Sequence, residues 1–251
     1  MKYRLRAFAL HLLGSACLLS LAVGGLYFGW YRWPGWYLTE VTKVLALVVL
    51  VDLALGPTLT FLVAAPKKQL RVLARDIAII VTVQLAALVY GWVTLWQGRP
   101  LYYTFSVDRL EIVQASDLKL DEIRQAQRDN PALAPHWYSR PRWIYAPLPD
   151  DPEAAAKIVN GAVFGGSDIV DMPRYFKPWS AGLLELRSKL KTVAEVKGLN
   201  KAERQRMQAR MASLGIAPGE RNAIVMWGDI RRVLVLFDRE TLSIRATLKI
   251  A

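Results

Sequence analysis

Cysteine and histidine are nearly absent from this chain: among 251 residues there are one Cys, Cys17, and two His, His11 and His136. A lone cysteine excludes an intramolecular disulfide, so any globular part has to be stable from its own core. Two histidines, one in an apolar run and one in a proline-rich stretch, leave no HExxH or two-histidine metal site. A Ser-His-Asp triad would have to use His136, GGSDIV lacks the second glycine of a GxSxG elbow, and no GxxxxGK[ST] phosphate loop occurs. Acidic residues are also scarce, 21 against 33 Lys+Arg. The pairs Asp121/Glu122, Asp150/Asp151 and Asp168/Asp171 fall at helix starts and turns. No enzyme chemistry, cofactor or metal is expected.

What the chain has in excess is apolar residues, 53% of the whole, and they crowd into the first hundred positions. Three stretches, about 7–30, 44–64 and 77–96, each approach the ~20 residues that cross a ~30 Å hydrocarbon core. Lys2, Arg4 and Arg6 precede the first; Lys67, Lys68, Arg71 and Arg75 separate the second from the third. Only Arg32, Glu40 and Lys43 lie between the first and second. The positive-inside rule then puts the N-terminus and the KKQLRVLAR loop in the cytoplasm and everything after the third span outside the inner membrane. Tyr27, Trp30, Tyr31, Trp33, Trp36, Tyr37, Trp92 and Trp96 are expected to form a belt at the outer interface. A cleaved signal is the weaker reading of the N-terminus, because the apolar run is long and no small-x-small site follows it.

The expected layout is a membrane domain over 1–97 and a periplasmic α+β domain over 98–251. Nine of the basic and three of the acidic residues precede position 97, so half of the net +12 is a topology signal. It says little about nucleic acid, and none is expected as a partner. In the outer part, Leu101–Val113 alternates as one strand would, and Ser116 opens a helix. Trp143–Ala146 reads as a short strand among prolines. Helices are expected over Asp151–Val163, Ser180–Leu190 and Asn200–Leu214, the last closed by Gly215. Ala223–Trp227, Val233–Phe237 and Leu242–Ile250, separated by GDIR and DRET, predict a closing antiparallel β-meander.

Two places stand out as candidate sites. Arg174–Arg210 carries ten Lys+Arg and three Glu. There Arg187, Lys191, Lys197, Lys201, Arg204 and Arg210 suit anionic headgroups or an acidic partner, against the plain reading of a solvated helix face. The other is Asp52, which sits in LVDLALGPTLTFLV. Counted from Pro66 it lies ~21 Å up the helix, near mid-membrane, on one level with Ser20 and Tyr90. A lipid-exposed carboxylate there costs ~2.5–3.5 kcal/mol or more, so Asp52 is expected to face the bundle. Pro57, after Gly56, cannot donate to the carbonyl of Leu53, which predicts a kink or opened turn relieved by Thr58 or Thr60.

RAFALHLL, VDLALGPTLTFLV with its basic loop, and QLAALVYGWVTLWQGRPLYYTFSVDRLEIV together resemble the TfpX/TfpZ group of type IV pilin accessory proteins; Asp52–Pro57 and Arg99–Val113 are the most specific segments. The resemblance implies an inner-membrane, chaperone-like protein that supports the stability, level or assembly of a cognate type IV pilin, and no reaction. Small residues on the first span, Gly14, Ser15, Ala16, Ser20, Ala22, Gly24 and Gly25, then suit either internal packing or a pilin's membrane helix. Asp52 is either an internal polar pin, a contact for the start of that helix, or part of a proton relay, for which no chain of further carboxylates is present. Outside this family reading, a membrane-anchored periplasmic ligand-binding or sensor protein acting through a separate partner remains open, as does an enzyme built around His136, Arg140 and Arg142.

Overall fold

The computed structural model describes residues 1–65 and 68–250; Lys67 of the basic loop and Pro66, the reference for the depth of Asp52, lie outside them. The chain forms two compact units, one of Met1–Arg32 with Glu40–Gly98, the other of Trp33–Thr39 with Arg99–Ala251.

Helix α1 spans Lys2–Gly29 and a single turn, α2, Gly35–Leu38. Helix α3 (Val41–Val49) runs through a π-helical turn, Leu50–Leu55, into α4 (Gly56–Val63), and α5 covers Leu70–Gln97. Three helical stretches are long and apolar enough to cross a membrane: Lys2–Gly29, Val41–Val63 and Leu70–Gln97. The first and third begin earlier than the apolar runs do, because Lys2, Arg4 and Arg6, like Arg71 and Arg75, are good helix formers and extend the helix into the polar flank. At that end the Arg4 Nε–H donates to the carbonyl of Ala64, 2.8 Å away, and Lys68 donates to that of Val63. Cations thus meet the open carbonyls that end α4.

The second unit is built on a seven-stranded mixed sheet in the order β4-β3-β1-β2-β5-β6-β7. Its strands are β1 Pro100–Ser106, β2 Arg109–Gln114, β3 Arg142–Tyr145, β4 Lys177–Pro178, β5 Ala223–Trp227, β6 Arg232–Phe237 and β7 Ile244–Ile250. The pairs β1/β3 and β2/β5 are parallel and the rest antiparallel. The closing meander is present, and the period of two along β6 sends Val233, Val235 and Phe237 into one core while Leu234 and Leu236 enter another with Met207 and Met211. Helices α6 (Leu120–Asp129), α7 (Pro152–Val163), α8 (Leu183–Lys189) and α9 (Lys201–Ser213) complete the unit. Asp151 caps α7, and Asn200 with Glu203 forms a reciprocal capping box on α9.

Three expectations change. Leu101–Val113 is a hairpin rather than one strand, because Val107 adopts φ 53° and turns the chain without glycine or asparagine. Helix α6 starts at Leu120 with no side-chain cap, so Ser116 is outside it. The segment Trp33–Thr39, expected within the 1–97 membrane domain and carrying Trp33, Trp36 and Tyr37 of the expected belt, is folded into the second unit. Leu38 is fully buried among Tyr103, Phe105, Leu110 and Val233, and Tyr37 packs on that core. The carbonyl of Leu38 accepts from the Asp229 N–H at 3.2 Å, and the Tyr37 hydroxyl donates to Ile250 at 3.3 Å.

Candidate functional site

Asp52 lies in the π turn and is 6% exposed. At the end of the turn the N–H of Gly56 reaches back five residues to the carbonyl of Val51. In an α-helix that N–H would serve Asp52; in the π register Asp52 would look to residue 57, and Pro57 has no hydrogen to give. The Gln84 side chain on α5 fills this gap, its Nε2 donating to the Asp52 carbonyl at 3.3 Å. The opened turn expected from the Gly-Pro pair is present. Gln84 can approach because residue 56 is glycine: a Cβ there would lie 2.0 Å from Gln84 Nε2.

His11 of α1 joins this place through Thr60. The His11 Nδ1 and Thr60 Oγ1 are 2.6 Å apart, so α1 is bonded to α4 one turn beyond Pro57. All four polar residues line a cleft of about 470 Å³ whose remaining wall is apolar except for Ser15, with Gly14, Leu18 and Val81 among its residues. Gln84 is 8% exposed, and its Oε1 has no hydrogen-bond partner among the described residues. The cleft is thus largely apolar with a few polar side chains on its wall, and suits an apolar partner surface.

Ser20 and Tyr90 do not belong to it. Ser20 is exposed, Tyr90 is 70% exposed, and neither lines the cleft. Helix α5 begins at Leu70, before the apolar run, and fourteen residues from Leu70 is Gln84. The signal that would have found Gln84 is its neutral amide, the one such side chain in its apolar run. Gly14, Gly24 and Gly25 of α1 would meet nothing within 4 Å if given a Cβ, so among the described residues nothing packs against these three glycines.

In the second unit the basic residues are dispersed. Lys191 and Lys197 line one recess and Arg187 another, where its guanidinium donates to the carbonyls of Arg239 and Glu240. Lys201, Arg204 and Arg210 lie on α9 and line neither. His136 stacks on Tyr138, and Arg142 donates to the carbonyls of Ala132, Leu133 and Ala134 beneath it, a loop-bracing role. Among the described residues no group of three His, Cys, Asp or Glu could hold a metal ion. The most displaced carboxyl is Asp171, pushed up to about 6 by burial and then by Asp117, Asp168 and Glu111. It accepts from the Asp168 N–H in the capping box of a short 3₁₀ turn, which accounts for its position.

No family model matches the chain, and no solved structure does. Among curated proteins, the Fimbrial assembly protein, serogroup I, of Dichelobacter nodosus is 30% identical over 189 residues, 74% of this chain and 71% of that protein. The serogroup E1 protein is 30% identical over 182 residues, covering 71% and 68%. That of serogroups C1 and C2 is 32% identical over 117 residues, 47% of this chain and 89% of the relative. With that identity sustained over more than two thirds of both partners, the chain belongs to the family of fimbrial assembly proteins.

Proposed function

We propose that this protein is an inner-membrane accessory of the TfpX/TfpZ kind, which keeps a cognate type IV pilin stable and available for assembly without catalysing a reaction. Its N-terminus lies in the cytoplasm and its sheet domain in the periplasm. Topology has a support independent of loop charge: Trp33–Thr39 and the chain after Arg99 share one folded unit, so both lie on one side of the bilayer. Lys68, Arg71 and Arg75 then lie on the other side, where the excess of cations marks the cytoplasm.

The observation that carries the reading is the cleft bounded by His11, Asp52, Thr60 and Gln84. Little hydrophobic drive acts between helices in lipid, so a partner helix is held by close approach and by polar contacts. An α1 surface of small residues beside a largely apolar cleft that carries Ser15, His11, Asp52, Thr60 and Gln84 offers both. Photo-crosslinkers at Gly14, Leu18 and Val81 are expected to yield pilin adducts in cells, on the cleft side of α1 and α5. Asp52→Asn is expected to lower pilin levels and co-purification. Unchanged pilin with Asp52→Asn, together with loss of the protein itself in Asp52→Leu, would reduce Asp52 to an internal pin and refute the contact.

A further inference from the structure

Strand β5 touches two neighbours along one edge. Near its end it pairs with β2 at Leu110↔Met226 and Glu111↔Trp227, while at its start Ala223 exchanges both backbone hydrogen bonds with Lys191. Around this edge, where the pairing changes hands, lies a recess of about 260 Å³. Arg109, Lys189, Lys191 and Lys197 line it, against a single carboxylate, Asp108. The Arg109 charge is already met by Glu111 at 2.8 Å and Asp168 at 2.7 Å. No ion pair to the three lysines is found among the described residues. Lys189 and Lys191 are half-buried as they line it, and Lys197 is exposed. Val196, Val225 and Trp227 provide its apolar surface. Low-dielectric walls around like charges focus an attractive field for an anion.

We propose that this recess binds a carboxylate-bearing segment of a partner polypeptide, a glutamate or aspartate side chain entering between the three lysines. The inference rests on the reading that the protein acts on an assembling protein partner, and adds to it a second point of contact in the sheet domain. Two observations favour a polypeptide. The volume suits one or two residues rather than a larger ligand, and the apolar wall suits a methylene stem below the charge. A lipid headgroup needs neither and is served by freely exposed cations.

The test uses the whole protein in neutral phosphatidylcholine nanodiscs and a fluorescent blocked peptide of alternating valine and glutamate. Binding is expected, weakening as salt rises from roughly 50 to 300 mM. Lys191→Ala with Lys197→Ala is expected to weaken it about tenfold, the scale of a lost close charge pair; Lys189→Gln gives a milder loss and guards against misfolding of the double variant. A valine–glutamine peptide that binds equally, or unchanged binding by both variants, overturns the proposal. So does displacement of the peptide by inorganic phosphate at low concentration, or capture of phosphatidylglycerol vesicles with no peptide binding. Peptide binding that persists when Asp52 variants leave pilin levels unchanged would keep the recess and discard pilin as its partner. Lost peptide binding with intact crosslinks to α1 would discard the recess alone.

Discussion

At the scale of single residues, Gly56 and Gln84 stand in mutual dependence. A methyl group at position 56 falls on the Gln84 amide, so Gly56→Ala is expected to displace that side chain and cost about 1–3 kcal/mol in detergent unfolding, the range for overpacking. Combining it with Gln84→Ala should recover most of the loss, and full additivity would show the two to be independent. Asp171 supplies a pH-dependent test. Its carboxyl is raised to about 6 in the folded domain from the ordinary 3.8, so its favourable contribution is whole below pH ~4 and disappears as pH rises through ~6. Asp171→Asn should therefore be nearly neutral at low pH and stabilising near neutrality. About 1 kcal/mol is expected after allowing for solvent screening of a half-exposed group. Equal unfolding midpoints of the two proteins at both pH values would contradict this.

At the scale of elements, the π turn ties helix chemistry to the cleft. Because Pro57 withholds the donor that Asp52 needs, Gln84 acts as a substitute backbone partner across the helix pair. Gln84→Leu is expected to destabilise the helical unit by about 1–2 kcal/mol. In a Pro57→Ala background an N–H returns to the ladder, and the same change should cost clearly less; an undiminished cost would refute the substitution. The existence of this irregularity was legible, since Gly-Pro within an apolar run announces a broken ladder. Its partners were not, because a neutral Gln and a lone His carry no charge or motif and their levels depend on where each helix starts. In the second unit the meander was legible from β-branched runs divided by polar turns. The β1/β2 hairpin was hidden because a valine occupies a positive φ at its turn, a conformation no propensity assigns to it.

At the scale of the whole molecule, the segment Trp33–Thr39 makes the sheet domain discontinuous in sequence. No local pattern announces that a loop between two apolar helices completes a core whose other members begin at Tyr103, and the aromatic residues there read equally well as an interfacial belt. Burial pushes the Tyr103 phenol up to about 12, with the backbone of Gly35 hydrogen-bonding it. Leu38→Ala should cost about 2–5 kcal/mol, as for a fully enclosed leucine. Gly228→Ala should be similarly damaging, since its Cβ would lie 2.3 Å from the Leu38 carbonyl. Both should lower the melting temperature followed by near-ultraviolet circular dichroism. Wild-type melting in Leu38→Ala would show the loop to be merely adjacent.

This arrangement also orders events during synthesis. Leu38 leaves the ribosome early, yet Val233 and Phe237, which enclose it, follow almost two hundred residues later, ~10–40 s at bacterial-to-eukaryotic translation speeds of ~5–20 residues per second. For that interval the newborn loop has no hydrophobic shelter of its own. Completion of the sheet is thus the moment at which the earliest loop is secured, and a ribosome stalled before β6 leaves a molecule with all its long helices and no finished head.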